Sequence, residues 1–96
     1  MIYEWDENKR LKNFEKHGYD LADGQLVYES PNKITVESHR PHERRWLDIA
    51  EVDGEVVVLS LTYTLRRDAV RCISLRKASR KERSLYHGQN SQTNLG

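Results

Sequence analysis

The sequence predicts a small α+β domain, because its helical and strand-like segments occupy different stretches of the chain. Two capped helical segments come early, the apolar pattern changes to a period of two at Lys33, and one further helix follows the strands. The predicted order is β-α-α-β-β-β-β-α. Consecutive strands joined by short turns pair antiparallel, so we expect one antiparallel sheet with two N-terminal helices and one C-terminal helix.

The N-terminal segments carry clear start and stop signals. Ile2 to Trp5 predicts a short strand, and Asp6 then stands at the N-cap of a helix from about Glu7 to His17. Gly18 is expected to end that helix in the left-handed conformation. Asp20 is a second N-cap and predicts a second helix, which a Ser-Pro-Asn turn ends.

The rest of the chain predicts four strands and a last helix. The strands are expected at Lys33 to Glu37, Arg44 to Val52, Glu55 to Thr64 and Val70 to Leu75. Asp53-Gly54 predicts a tight hairpin, and the run from Val56 to Leu61 is apolar on both faces, which favours a central strand. Ser79 to Glu82 has the form of a capping box for a helix that should reach about His87 and end at Gly88.

The length and composition fit one small domain. The 96 residues are 36% apolar and 32% charged, which supports a thin core that assembly with a partner chain would stabilise. We expect the domain to span residues 1–87 and residues 88–96 to form a polar, disordered tail. Cys72 has no disulfide partner within the chain, and the N-terminus lacks the apolar run of a signal peptide. The prediction is a soluble, cytoplasmic protein without a transmembrane segment.

The charges are divided unevenly along the chain. Residues 1–63 hold 8 Lys/Arg against 13 Asp/Glu, a net charge of −5, and residues 64–96 hold 8 against 2, a net charge of +6. A chain polarised in this way can present a cationic face to phosphate groups while its total charge stays at +1. A solvated, arginine-rich helix without a ligand would give the same pattern, so the charge alone leaves both interpretations open.

The first predicted helix carries one candidate site. Lys9, Asn13, Lys16 and His17 have the spacing of a single helical stripe. Two cations and an imidazole on one stripe could hold a phosphate and move a proton near neutral pH. The alternative is a solvated helix face on which His17 interacts with the C-terminal end of the helix dipole.

The strands carry a second candidate site. Arg71 and Arg76 project from one strand of the basic half, and Arg44 and Arg45 lie on the strand next to the central one. Arginine grips phosphate through a planar fork and keeps its charge, so these side chains predict a phosphate clamp on the sheet. Glu43 precedes them and is either a proton acceptor or a salt-bridge partner of the arginines.

Metal and nucleotide chemistry find no support in the motifs. His39, His42, His87 and Cys72 lack partners at metal-ligand spacing. A Gly-rich phosphate loop and a nucleophile elbow are also missing from the sequence. We therefore expect no zinc site and neither a metal nor an organic cofactor.

Five motifs in a fixed order identify a family resemblance. They are YEWDENK near the N-terminus, N-x-x-K-H-G from Asn13 to Gly18, the Glu43-Arg44 pair, R-C-I-S-L-R from Arg71 to Arg76, and A-S-R-K-E-R-S-L-Y from Ala78 to Tyr86. Over nearly all of Ile2 to Tyr86 the sequence resembles the BrnT toxins, small ribonucleases of bacterial toxin–antitoxin pairs. The resemblance implies a RelE-like fold. It also implies a BrnA-type antitoxin, which binds operator DNA through a ribbon-helix-helix and masks the toxin.

The resemblance further implies RNA cleavage without a metal, which needs a base, an acid and cations around the charged phosphorane. The catalytic candidates are His17, Lys16, Glu43, Arg44, Arg71 and Arg76. The RNA-binding candidates are Lys9, Arg45, Arg66, Arg67, Lys77 and Arg80. The identity of the general base stays open, because several arginines and lysines can share the work.

Four positions depart from the family pattern, at Leu21, Ala50, Leu65 and Leu75. Three of them are expected to be exchanges within the core, whereas Leu65 replaces a glutamate beside Arg66 and would alter that corner of the site. The alternative function is therefore a degenerate toxin, a non-catalytic member of an autorepressor complex whose basic face strengthens operator binding. An endoribonuclease is the leading hypothesis, because a binding module has no need of a lysine and histidine stripe.

Overall fold

The computed structural model describes residues 1–38, 40–52 and 57–94, with side chains as far as residue 90. Its elements are β1 (Ile2–Glu4), α1 (Glu7–His17), a 3₁₀ turn (Leu21–Asp23), α2 (Gly24–Tyr28), β2 (Ile34–Ser38), β3 (Arg45–Glu51), β4 (Val58–Arg66), β5 (Ala69–Lys77) and α3 (Arg80–Asn94). The strands form one sheet in the order β1-β5-β4-β3-β2. The predicted α+β class, element order and central strand are confirmed. The predicted hairpin at Asp53-Gly54, like His39, lies outside the described residues.

The sheet is mixed rather than wholly antiparallel. β1 pairs with β5 in the parallel direction, with Ile2 opposite Ala69 and Glu4 opposite Arg71. The other strand pairs are antiparallel. Short turns fix antiparallel pairing only between consecutive strands, whereas the chain between β1 and β5 passes through helices and three strands. The pairing of β1 thus corrects the prediction of an antiparallel sheet.

The first helices begin and end at the predicted caps. The Asp6 carboxylate accepts a backbone N–H of the first turn of α1 at 3.1 Å, and Gly18 has a φ of 79° in the left-handed region. Asp20 caps the 3₁₀ turn instead of a regular helix, and α2 has only 5 residues. Gly24 opens α2 where a Cβ atom would lie 2.8 Å from a methyl carbon of Leu61, so a larger residue would force the buried Leu61 side chain to move.

The C-terminal helix α3 is longer than predicted. Its capping box is confirmed, since Ser79 and Glu82 each donate a backbone N–H to the side chain of the other. The helix continues through Gly88 to Asn94, so the predicted end at Gly88 is wrong. Glycine inside a helix costs only about 1 kcal/mol, and Tyr86 anchors the preceding turn in the core. The tail is thus helical as far as Asn94, and the domain limit stays a prediction.

The two faces of the sheet differ in what covers them. The 3₁₀ turn and α2 pack on one face, where Leu61 is fully buried, and α1 lies against β5 beside them. α3 packs on the other face, over the half where Ile49 of β3 lies opposite Ser60 of β4. The other half of this face lies around Thr62 and Thr64 of β4, which share the side of Ser60 because side chains alternate along a strand. We call that half the open face.

Candidate functional site

A β-bulge in β5 places the two arginines of that strand on the same face. Arg71 lies opposite Thr64 and Arg76 lies opposite Ser60, and the register shifts by one residue between the two pairs. Side chains alternate along β4, so Thr64 and Ser60 share a face. Residues five apart in a regular strand would face opposite sides, so the extra residue, Ile73, is what brings both arginines to one side of the sheet.

Arg71 and Arg45 flank Thr64 on the open face. Arg71 pairs with Thr64 on one side, and the register between β3 and β4 places Arg45 on the other. Neighbouring strands are about 4.8 Å apart, so the backbones of the two arginines are separated by about 10 Å. Glu4 and Ser38 continue this row on β1 and β2. The row therefore has one guanidinium group on each side of the buried Thr64.

The ion pairs of the open face are long. Glu43 lies between two arginines, with 3.5 Å from its Oε1 to the Arg45 Nε and 3.3 Å from its Oε2 to the Arg66 Nη2. The Arg71 Nη1 lies 3.5 Å from the Glu4 carboxylate. Within the described part of the chain, the buried Arg45 Nε has no hydrogen-bond acceptor. Charge-assisted hydrogen bonds are normally about 2.7–2.9 Å long, so an anion with short contacts would stabilise these donors.

Arg76, beside α3, has short and well-aligned contacts instead. Its Nη1 and Nη2 donate to the two carboxylate oxygens of Glu82 at 2.8 and 3.0 Å. Glu82 also accepts the Ser79 N–H at 2.8 Å and the Ser60 hydroxyl at 2.9 Å. The Arg76 guanidinium, aided by these bonds, lowers the pKa of the Glu82 carboxyl from 4.5 to about 2. Arg76, which was predicted as part of a phosphate clamp, is thus bound to Glu82 of α3.

The last turn of α1, which holds Lys16 and His17, follows Asn13 by one turn, and Asn13 bonds to the backbone of Leu75 next to Arg76. The pKa of the His17 imidazole is lowered, chiefly because partial burial disfavours the charged form, and further because Lys16 and Arg76 are cationic. The sequence left the charge state of this imidazole open, and its surroundings favour the neutral form. We call Lys16, His17 and Arg76 the edge group, because α1 meets β5 in this region.

Only part of the predicted stripe on α1 is exposed to solvent. Lys9 and Lys16 are exposed, but Asn13 is 7% exposed. The Asn13 carboxamide is bound to backbone groups of Tyr19 and Leu75. Asn13 is thus engaged with the chain itself rather than directed to a ligand.

Several predicted site residues lie away from both groups. Arg44 points to the opposite side of the sheet from Arg45, where its guanidinium pairs with Glu37 at 2.8 Å and its side chain is 72% exposed. Other exposed positions hold Lys9 in α1, Arg67 in the turn between β4 and β5, Lys77 at the end of β5, and Arg80 at the start of α3. These side chains are surface cations, and the described contacts do not join them to the open face.

A comparison with protein families matches most of the chain. The model of a family described as the ribonuclease toxin BrnT of type II toxin–antitoxin systems matches residues 5–82. The chain belongs to the BrnT family. Membership implies an antitoxin partner and an RNA target. None of the curated proteins with which the chain was compared matches it.

The departures from the BrnT pattern leave the open face intact. Three of the four positions are fully buried, which confirms that they belong to the core: Leu21, Ala50 and Leu75. Leu65 alternates with Arg66 along β4, so its side chain faces the other side of the sheet. A glutamate at Leu65 would point away from Arg66, which takes Glu43 as its carboxylate partner.

Three residues shape the site of this BrnT chain without having been predicted for it: Glu4, Ser60 and Glu82. The capping box locates Glu82 in the first turn of α3, but it gives no sign that Arg76 in a strand pairs with it. Glu4 and Ser60 join the site through strand register, which no local motif encodes. The described residues contain no group of three or more His, Cys, Asp or Glu side chains that could hold a metal ion. No helix among them is long and apolar enough to cross a membrane.

Proposed function

We propose that this BrnT protein is a metal-independent endoribonuclease that cleaves RNA through attack of a 2′-OH on the adjacent phosphodiester. The observation that carries the proposal is the open face, where the contacts of Arg45, Arg66 and Arg71 with carboxylates of the described residues are 3.3–3.5 Å long. A phosphate can supply the short, charge-assisted hydrogen bonds that these arginines lack. RNA is therefore the ligand that best fits this surface.

The RNA backbone is proposed to lie across the open face, with one phosphate at Arg71 and another at Arg45. Binding at Arg45 gives its buried Nε an acceptor and moves Glu43 toward Arg66. Because the contacts of Glu43 are long, replacing its contact with Arg45 costs little free energy. A phosphate that displaced the carboxylate from Arg76 would instead have to replace two bonds of 2.8 and 3.0 Å. We therefore assign the binding of the phosphates on either side of the cleaved bond to the open face, and Arg76 keeps its bonds to Glu82.

The cleavage step is proposed at the edge of β5, with His17 as the base. His17 takes the proton of the 2′-OH as that oxygen attacks phosphorus, and the bond from phosphorus to the 5′-oxygen breaks. Lys16 donates a proton to the leaving 5′-oxygen, which gives a 2′,3′-cyclic phosphate and a 5′-hydroxyl. Arg76, oriented by Glu82, stabilises the negative charge of the phosphorane. The lowered pKa of His17 supports its role near neutral pH.

Two of the predicted catalytic residues have less support. Glu43 contacts two arginines, which favours its role as their salt-bridge partner over that of a proton acceptor. Arg44 pairs with Glu37 on the other side of the sheet. We therefore leave Arg44 out of the proposed site and put Arg45 in its place.

We further propose that the antitoxin is a BrnA-like ribbon-helix-helix protein and that the complex binds operator DNA through it in the cytoplasm. The open face is the proposed docking surface, because its arginines would attract acidic groups. Val36 and Leu47 lie opposite each other on the same side of the sheet, and Val36 is 38% exposed. An acidic segment with apolar side chains would fit both features and exclude RNA.

Expression in a bacterial host tests the proposed function. The wild-type chain should arrest growth with decay of total RNA, and Arg45→Ala should relieve the arrest because a phosphate ligand is lost. Arg44→Ala is the matched comparison, since this neighbouring arginine faces the other side of the sheet. Normal growth with the folded wild-type chain would support the non-catalytic repressor component instead.

A further inference from the structure

Asn13 is buried, at 7% exposed, in the middle of the polar helix α1. Its Nδ2 donates to the Tyr19 carbonyl at 2.7 Å and to the Leu75 carbonyl at 2.9 Å. Its Oδ1 accepts the Leu75 N–H at 3.1 Å. The carboxamide thus bonds to three backbone groups, of which the two of Leu75 are buried.

Leu75 lies where β5 is an edge of the sheet. β1 pairs with β5 only from Ala69 to Arg71, and β4 occupies the other side of β5. Both the N–H and the C=O of Leu75 bond to Asn13, so they point away from β4. The Asn13 side chain therefore makes the two backbone hydrogen bonds that a neighbouring strand would make with Leu75. These bonds tie the middle of α1 to the edge of β5.

The position of this tie determines where the end of α1 lies. His17 follows Asn13 by four residues, about one helical turn, and therefore lies on the same side of the helix. Arg76 follows Leu75 directly in β5. Tyr19, which the same carboxamide binds, lies just beyond the helix end. The Asn13 side chain thus fixes the position of α1 and of the segment that follows it at Tyr19, next to Arg76.

We propose that Asn13 is a positioning residue, which holds the end of α1 with His17 beside the strand of Arg76 for RNA cleavage without touching the RNA. This inference rests on the proposed function, because it gives Asn13 a role in the reaction at the edge of β5. Asn13 is the buried residue of α1, and two of its three hydrogen bonds, to the C=O and N–H of Leu75, link this helix to the strand that carries Arg76. A misplacement of about 1 Å in an active site can lower a rate by about 10²-fold.

Two substitutions of Asn13 test the proposal in the full-length protein. Asn13→Asp can still accept the Leu75 N–H but cannot donate to either carbonyl, and Asn13→Ala loses all three bonds. Asn8→Ala is the matched control, because Asn8 is exposed in the same helix. The measurements are the melting temperature, the NMR titration of His17, the affinity for RNA, and the single-turnover cleavage rate.

Both Asn13 variants should lower the cleavage rate by about tenfold or more while RNA affinity stays unchanged. The pKa of His17 should rise toward its usual value, because the imidazole loses its burial and its neighbour Arg76. Asn8→Ala should change neither quantity. The rise in the His17 pKa is the deciding signature, since a general loss of stability would not produce it in the folded protein.

Opposite results would overturn the proposal. An unchanged His17 titration and an unchanged rate, with only a lower melting temperature, would reduce Asn13 to a stabilising residue. Failure of both variants to fold would also overturn it, because Asn13 would then support the whole domain rather than the helix end. If the wild type does not cleave RNA, the proposed function fails, whereas the His17 titration still decides whether Asn13 positions the helix.

Discussion

Replacing Glu82 by glutamine should destabilise the domain at neutral pH but not in acid. The pKa of the Glu82 carboxyl falls from 4.5 to about 2 in the folded chain. At about 1.4 kcal/mol for each pKa unit, the full shift corresponds to about 3 kcal/mol. The Arg76 side chain is 33% exposed, so water screens this ion pair. We therefore expect Glu82→Gln to lower the free energy of unfolding by about 1–2 kcal/mol at pH 7.

The pH dependence of this loss follows from the direction of the shift. A carboxyl whose pKa is lowered by folding contributes its full stability above its unfolded pKa and loses it as the pH falls through the folded value. The contribution of Glu82 should therefore be complete above about pH 5 and disappear between there and about pH 2. Glutamine does not titrate, so the wild type and Glu82→Gln should converge in acid.

Urea unfolding of both proteins between neutral pH and about pH 2 measures this difference. At neutral pH the melting temperature should also fall by roughly 5–15 °C, the scale for 1–2 kcal/mol in a domain of this size. Glu15→Gln, at an exposed position of α1, is the control for loss of a carboxylate. A stability difference of equal size at every pH, or none at pH 7, would refute the assignment of this energy to the ion pair with Arg76.

Three further predictions concern the site. His17→Gln should keep the fold and the RNA affinity but lower the single-turnover cleavage rate by about 10²-fold or more. A wild-type rate with a lower melting temperature would leave His17 only its interaction with the helix dipole. Arg71→Ala should flatten the slope of log affinity against log salt by about 0.7, the share of one phosphate contact with single-stranded RNA, and an unchanged slope would exclude that contact. Association with the antitoxin should slow as salt rises, whereas a rate independent of ionic strength would place its docking surface elsewhere.

Signals that act over a few residues explain why much of the fold is predictable from the sequence. The caps at Asp6 and Gly18 and the box from Ser79 to Glu82 form between neighbours in the chain. Contacts between distant segments are different. The parallel pairing of β1 with β5 and the bulge at Ile73 depend on strands that meet only in the folded domain. The sequence therefore predicts that the N-terminal strand forms, but it does not predict that this strand pairs in the parallel direction.

The candidate site was predictable by residue type but not by pairing. Arg44 and Arg45 are adjacent, so their side chains face opposite sides of the sheet. Only the register of β3 shows that Arg45 is the one on the open face. Asp48 gives a second example, since it is fully buried and its carboxylate accepts a bond from Lys33 of the neighbouring segment at 2.7 Å. No local pattern marks that ion pair, because its partners meet across strands.

The central claim is that this chain cleaves RNA without a metal, and that the nucleophile is the 2′-OH of the RNA itself. The most direct test is to identify the ends of the fragments that the purified wild-type protein makes from RNA in EDTA. We expect 5′-hydroxyl ends and 2′,3′-cyclic phosphates, and no cleavage where the 2′-oxygen is methylated. Fragments with 5′-phosphate and 3′-hydroxyl ends, or cleavage that EDTA abolishes and magnesium restores, would contradict the claim.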